Sequence, residues 1–256
     1  MITKFLTLFA GAWPRIEALE GLDYSAQAGS REGREGSHFM IVVSDLVGTL
    51  SKGSPILGLV NWVRHNQSAL QANMFMLKML PRYILYKLGM MDLRDFGEWS
   101  LIASLPLIKD PTPEKVREMA LWSVEKVLWP QRRADVVERL AQHKEQGDQL
   151  YIASTAFEPT LEALGEKIGA RAIGSQIEVA DGQLQLVSGL ITGKGKGEQV
   201  FERLGVERVG AAYGDTWADI PILERADHPV AVYPDARLRA AAVERGWEIM
   251  DGPNLQ

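Results

Sequence analysis

Cysteine is absent from the 256 residues. That excludes disulfides, thiolate metal sites and cysteine nucleophiles, and it fits a reducing compartment, with the cytoplasm as the expected location. No apolar run reaches the ~18 residues of a membrane span. Positive charge is not in surplus either: Lys and Arg total 28 against 33 Asp and Glu, a net charge of −5 spread along the chain. No basic field is therefore expected to attract nucleic acid or an anionic membrane. Histidine is scarce, and His38, His65, His143 and His228 lack metal-ligand spacing, so they read as surface or packing residues. No internal repeat is visible. What is present is ordinary: 46% apolar and 24% charged residues, enough to fill one large domain or two modest ones. Such a composition fits an enzyme working on a small molecule.

The first forty residues differ from the rest. Phe5-Leu6-Thr7-Leu8-Phe9-Ala10 behind Lys4 is short for a signal peptide, and no small-x-small cleavage site follows. Ser25 to Ser37 is rich in Gly, Ser, Arg and Glu and cannot bury enough surface to order itself. Residues 1–39 therefore read as a flexible extension. From Met40 the pattern changes. Ile41-Val42-Val43 is the continuous apolar run of a fully buried strand, ending in Ser44-Asp45. Residues 52–146 then show helical periodicity, with pieces at Pro55 to Arg64, Leu70 to Leu80, Arg82 to Leu88 and Leu93 to Ser104. Thr112-Pro113-Glu114 opens a further helix with a capping threonine and an early proline. The last helix of the segment, carrying Val136, Val137, Leu140 and Ala141, stops near Gly147.

Beyond it, strands and helices alternate. Leu150 to Ala153, Ala170 to Ile173, Val209 to Tyr213, Val230 to Val232 and Trp247 to Ile249 read as strands. Pro159 to Ile168, Gly197 to Leu204, Ala218 to Arg225 and Leu238 to Arg245 read as helices between them. Ile177 to Val179 and Leu184 to Val187 flank Asp181-Gly182, a hairpin signal. Alternation predicts an α/β fold with a parallel sheet covered on both faces, interrupted after its first strand by the helical segment. Trp122, Trp129 and Trp247 sit on amphipathic patterns and read as core.

In open parallel sheets, ligands bind beyond the carboxyl ends of the strands. Those ends carry Asp45 after the first strand, Ser154 and Thr155 after the second, and Asp215 after the fourth, with Asp219 a turn later. Lys194 and Lys196 open the helix before that fourth strand. Carboxylates, a hydroxyl and an ammonium meeting in one crevice suit a divalent metal and a phosphate, and hard carboxylate oxygens suit magnesium. Singly, each residue has a plainer reading: a turn former, a helix cap, a solvated charge, an acidic helix start. Their joint order along successive strands favours the chemical one. The glycines around Lys194 and Lys196 suggest a phosphate loop, but no Ser or Thr follows either lysine.

At these residues the chain resembles the haloacid dehalogenase superfamily. Its first motif, Asp-x-Asp-Gly-Thr-Leu after an apolar strand, is similar to Asp45-Leu46-Val47-Gly48-Thr49-Leu50. The second resembles Tyr151-Ile152-Ala153-Ser154, and the third Gly195-Lys196-Gly197-Glu198. The fourth is similar to Gly214-Asp215-Thr216-Trp217-Ala218-Asp219-Ile220-Pro221 almost letter for letter. The helical insert and the single hairpin resemble the phosphoserine-phosphatase-like branch. The resemblance implies a Rossmann-like core over 40–51 and 147–256, with an all-helical cap over 52–146 that closes over the site. It implies Asp45 as the nucleophile that forms an aspartyl-phosphate and as a magnesium ligand. Asp215 and the backbone carbonyl of Val47 would also bind Mg2+, with Asp219 supporting the metal shell or the lysine. Ser154 and Lys196 would hold the phosphoryl group, with Thr155, Gly48 and Thr49 beside it. Lys194 is the alternative lysine. The substrate would be a small phosphorylated metabolite.

Two departures matter. Phosphatases of the superfamily carry a second carboxylate two residues after the nucleophile, which protonates the leaving alcohol and activates water. Here Val47 stands there, and such acid–base catalysis contributes roughly 10²–10⁴-fold. An impaired phosphatase, a relative with other chemistry, and a protein that binds a phosphorylated ligand or partner without turnover are all compatible with the valine. Second, Ser51-Lys52-Gly53-Ser54-Pro55 contains no acid to hold the amino group of phosphoserine, so another substrate is expected. The cap is rich in Met74, Met76, Met79, Met90, Met91, Trp62 and Trp99. Helix packing is the plain reading, and a greasy substrate or lipid headgroup the sharper one.

Overall fold

The structure, a computed structural model, describes residues 39–192 and 195–252. The extension read over 1–39 thus lies outside the described residues except for Phe39, and His38 and Lys194 lie outside them too. Strand β1 (Ile41–Ser44) is central, paired in parallel with β2 (Gln149–Phe157) on one side and β6 (Val209–Gly214) on the other. Strand β3 (Arg171–Ser175) extends the sheet beyond β2, and β7 (Ala226–Val232) and β8 (Glu248–Met250) extend it beyond β6. The order is β3-β2-β1-β6-β7-β8, with every pairing parallel.

Alternation along the strands explains their unbroken apolar runs, because successive side chains leave opposite faces and both faces are covered. Val42, Ile152, Ala211 and Val230 enter one buried cluster. Their neighbours Val43, Ala153, Ala212 and Ala231 enter another. On the first face pack α5 (Ala134–Gln146), through Val136 and Leu140, and α6 (Glu158–Ile168), through Leu161 and Leu164. On the second pack α7 (Lys196–Leu204), α8 (Ile220–Leu223) and α9 (Ala236–Arg245), through Val200, Phe201, Leu223 and Leu238. Burying each Val or Leu contributes about 1.5–3 kcal/mol relative to exposure.

Between β1 and β2 in the chain lies the helical insert: α1 (Pro55–Asn66), α2 (Ala69–Lys87), α3 (Leu93–Ser104) and α4 (Pro113–Ser123), then α5. Ser54, Ser68 and Thr112 cap α1, α2 and α4 by accepting a first-turn backbone N–H. A third cluster, built on Leu59, Trp62, Val63, Phe75 and Met119, holds the insert together. The hairpin of β4 (Ile177–Ala180) and β5 (Gln183–Leu186) adds Leu184 to it. Asp181 and Gly182 both have positive φ, 51° and 70°, the conformation that a two-residue hairpin turn matching the strand twist requires. Ala120, Val124 and Leu128 instead join the cluster of the sheet. Trp122, Trp129 and Trp247 each pack, partly buried, against one of the three clusters.

Three elements differ from the sequence reading. The pieces read on either side of Pro81 form one helix, α2. Proline removes a single backbone donor there, and it lies on the exposed side, where water can satisfy the Leu77 carbonyl. The strand read as ending at Ala153 runs on to Phe157, because after a register shift it pairs again with Ser175 of β3. Ser154 and Thr155 are therefore within β2 rather than beyond it. The helix read over Ala218 to Arg225 is a tight 3-10 turn, Trp217–Asp219, leading into the short α8. The turn tightens because Asp219 folds back onto the N–H groups of Asp215 and Thr216.

Candidate active site

The parallel register brings the motif residues to one edge. Ser44 is level with Ile152 on one side and Tyr213 on the other, so Asp45 and Asp215 follow at the carboxyl end of the sheet, and Ser154, still within β2, comes level with that end. The backbone N–H of Asp45 donates to the Tyr213 carbonyl at 2.9 Å, which ties the start of the loop to β6. Lys196, the first residue of α7, reaches this edge with 5% of its surface exposed. Its Nζ donates to Asp45 Oδ1 at 2.6 Å and to Asp219 Oδ1 at 2.7 Å. The other oxygen of Asp219 accepts from the N–H groups of Asp215 (3.2 Å) and Thr216 (3.1 Å) and from the Thr216 hydroxyl (3.2 Å). Both oxygens of Asp219 are thus engaged in orienting the lysine and the turn.

Asp215 sits between the two halves of the site. The buried Thr49 hydroxyl donates to its Oδ1 at 3.1 Å. Gly48 has φ 93°, and a Cβ there would collide with the Asp215 carboxylate. Glycine is therefore required at 48 both for the turn and for the close approach. Among the described residues, Asp45, Asp215 and Asp219 form a group that could hold a metal ion, with ligand oxygens all within 4.8 Å of one another.

Electrostatics make the arrangement costly without a further cation. Burial pushes the Asp45 carboxyl up to about 6, against the pull of Lys196, and Asp219 adds to the rise. Burial likewise pushes Asp215 up to about 8, with the charges of Asp45 and Asp219 adding to it and the Thr49 hydrogen bond opposing. For Lys196, burial works against the charge, but Asp219 and Asp45 outweigh it and hold the ammonium above its ordinary value. Three carboxylates share one ammonium. A hard divalent cation fits that donor set and relieves its surplus charge.

The other predicted residues lie near by but outside this network. Ser154 is buried, and its hydroxyl accepts only a long bond from the Ala156 N–H, 3.4 Å, leaving its proton for another acceptor. Thr155 uses its carbonyl to accept from Ser175 at 2.7 Å. The Val47 side chain is 43% exposed at the rim and carries no polar atom. Two contacts were not legible in the sequence. Arg133, at the junction of insert and core, donates from Nε to the Gly48 carbonyl at 2.6 Å while its guanidinium lies 3.6 Å over the Tyr233 ring. The Thr192 hydroxyl bonds Glu98 of α3, joining insert to core just before Lys196. A pair of adjacent arginines and a lone glutamate are too common in surface helices to have signalled either role. The two chain crossings are also bonded to each other: Ser51 Oγ donates to the Leu128 carbonyl at 2.7 Å and the Arg133 N–H to Leu50 at 2.8 Å.

Comparison with known proteins agrees with this geometry. Phosphoserine phosphatase SerB1 of Mycobacterium tuberculosis is 34% identical over 117 residues, 43% of this chain, and the match spans only 38% of that protein's own length. The fold is similar to a protein of unknown function from Bordetella pertussis Tohama I, with TM-score 0.65 at 19% identity, covering 82% of this chain and 97% of the other. It is similar also to a substrate-bound phosphoserine phosphatase, with TM-score 0.55 at 18% identity, covering 84% and 94%. The description "haloacid dehalogenase-like hydrolase" matches residues 42–224, from the first strand through the fourth motif. A match of that extent, over most of the described sheet and its acidic edge, makes the chain a member of the haloacid dehalogenase-like hydrolase family.

Proposed function

We propose that the chain is a magnesium-dependent phosphohydrolase that acts on a small phosphorylated metabolite through an aspartyl-phosphate on Asp45. The observation that carries this reading is the buried pairing of Lys196 with both Asp45 and Asp219, beside Asp215. Asp45, Asp215 and the Val47 carbonyl would hold the magnesium, which supplies Lewis-acid neutralisation of phosphoryl charge. Asp219 has both oxygens occupied, which favours it as the support of Lys196. Asp45 attacks phosphorus, a P–O bond forms, and the bond to the leaving oxygen breaks with its electron pair. Lys196 neutralises the phosphoryl oxygens and Ser154 donates its free proton to one of them, with Thr155, Gly48 and Thr49 as further substrate-binding positions. Residues 52–146 would act as the cap over this site, on the core of 40–51 and 147–256, with its last helix, α5, packed on the sheet and anchoring it. A chain without cysteine suits the reducing cytoplasm, where we place it.

Val47 sets the rate. It cannot protonate a leaving alkoxide or activate water against the aspartyl-phosphate, so acyl and aryl phosphates, whose leaving groups need no proton, react best in the first step. Hydrolysis of the phosphoenzyme is then the slow step. The relative's name makes phosphoserine a candidate substrate, but residues 51–55 lack an acid for its amino group. The apolar side chain at 47 also favours a second reading, a protein that binds a phosphorylated ligand without turnover. Intact-mass measurement after incubation with acetyl phosphate and magnesium separates the two. The hydrolase gains a covalent phosphate that is lost in Asp45→Asn; the binder gains none.

A further inference from the structure

Helix α2 buries Ala72, Phe75 and Met79 in the cluster of the insert. Its opposite side is also apolar. Leu70, Met74, Leu77, Pro81, Ile84 and Leu88 are all exposed, with Leu70 at 71%, Leu77 at 66% and Leu88 at 67%. They are spaced alternately four and three residues apart. At ~100° per residue they fall in one sector of roughly 80°, running for about 27 Å along the helix. Single exposed apolar side chains are ordinary, whereas a continuous stripe marks an interaction surface. Met90, exposed just beyond the helix, lengthens it. The methionines of the insert therefore divide: Met79 packs inward, while Met74 and Met90 face out.

Charge on this helix is of one sign. Its charged residues are Lys78, Arg82 and Lys87, with no carboxylate among them, a local exception to the dispersed charge of the chain. Arg82 is folded over the Trp99 ring at 4.0 Å. Lys78 and Lys87 are exposed, and at ~100° per residue they flank the stripe on opposite sides. Asp92, just ahead of the following helix, and Asp95 and Glu98 on it each have an interaction partner.

We propose that α2 docks the protein on an anionic lipid bilayer. The helix lies in the interface with its apolar stripe among the acyl chains and Lys78 and Lys87 reaching phosphate headgroups on either side. A second copy of the chain fits the stripe less well. Pairing α2 with itself brings cations to the seam with no carboxylate to meet them. The attachment is peripheral, since no helix among the described residues is long and apolar enough to cross a membrane. It is independent of the chemistry proposed for Asp45, and its test reads binding rather than turnover.

The test is co-sedimentation of the full chain with vesicles of phosphatidylcholine alone and of phosphatidylcholine mixed with phosphatidylglycerol. The chain binds the mixed vesicles and is released by salt. Leu77→Glu/Ile84→Glu weakens that binding by about 100-fold, from the burial two such side chains lose, and Lys78→Gln/Lys87→Gln by roughly 30-fold. All four positions are exposed, so thermal unfolding should be unchanged and a loss of binding is not a loss of fold. Absence of binding to the mixed vesicles, or binding that both double variants retain, overturns the proposal. So does a dimer in light scattering that Leu77→Glu/Ile84→Glu dissociates, which assigns the stripe to a second copy.

Discussion

Both ends of the central strands hold buried polar groups, and they differ in charge balance. Where the strands begin, Asp148 accepts from the Met40 N–H at 2.9 Å and meets His143 Nδ1 at 2.7 Å, while His143 Nε2 meets the Tyr213 hydroxyl at 2.8 Å. Both ring nitrogens of His143 are thus occupied. Burial pushes the Tyr213 hydroxyl up to about 12, so it keeps its proton. Each group there has a partner of the right kind, which makes the network a structural one. Where the strands end, three carboxylates share one ammonium, and two of them are pushed well above their ordinary range. Burial is common to both ends. The surplus of carboxylates over cations is larger at one, and that is where we propose that a cation and a phosphate bind.

That contrast can be broken or sharpened experimentally. Val47→Asp restores a proton carrier to the acidic end, and phosphate release from an ester should rise roughly 10²–10⁴-fold; no gain with any ester would remove the hydrolase reading. Lys196→Met strips the shared ammonium and leaves buried, unpaired carboxylates. Urea unfolding at pH 8 in EDTA should show a loss of about 3–5 kcal/mol, with a smaller loss at pH 5, where the carboxyls protonate instead. Asp148→Asn at the other end should cost about 1.5–3 kcal/mol while magnesium affinity by calorimetry stays the same. A parallel fall in affinity would mean that the two ends are not separate devices.

Taken per unit of pH, the pH response is the smallest effect. Asp45 and Asp215 titrate at about 6 and about 8, above the ordinary 3.8. Between those values the folded protein binds more protons than the unfolded chain, so stability in EDTA should fall as pH rises from about 4 to about 8, on the order of 1 kcal/mol per unit. Magnesium should flatten that slope in thermal melts, because a bound cation compensates the same charges. A metal-free protein that grows more stable across this window would contradict the electrostatic contrast.

How much of this was legible beforehand depended on whether a signal is local. Ile41-Val42-Val43 announced a buried central strand because both faces of a parallel sheet need apolar side chains. Asp181-Gly182 announced its hairpin because few other residue pairs accept positive φ twice. Asp45, Lys196, Asp215 and Asp219 could be singled out by their order along successive strands, and the structure brings these four together. Pro81 misled the reading by suggesting a break, since its tolerance depends on which way that turn faces. The tight turn at Trp217–Asp219 was read as helix because its shape comes from the Asp219 side chain folding back onto the N–H groups of Asp215 and Thr216.

Local patterning by itself determined most of the secondary structure, the parallel α/β layering and the candidate residues at the strand ends, because periodicity, turn geometry and strand-end positions are properties of neighbouring residues. Only the tertiary structure decided which groups share a proton or an ion, that Arg133 grips the Gly48 carbonyl, and that one side of α2 is left uncovered. Those outcomes depend on what packs against each element, and the groups concerned, such as Lys196 and Asp45, come from segments 151 residues apart.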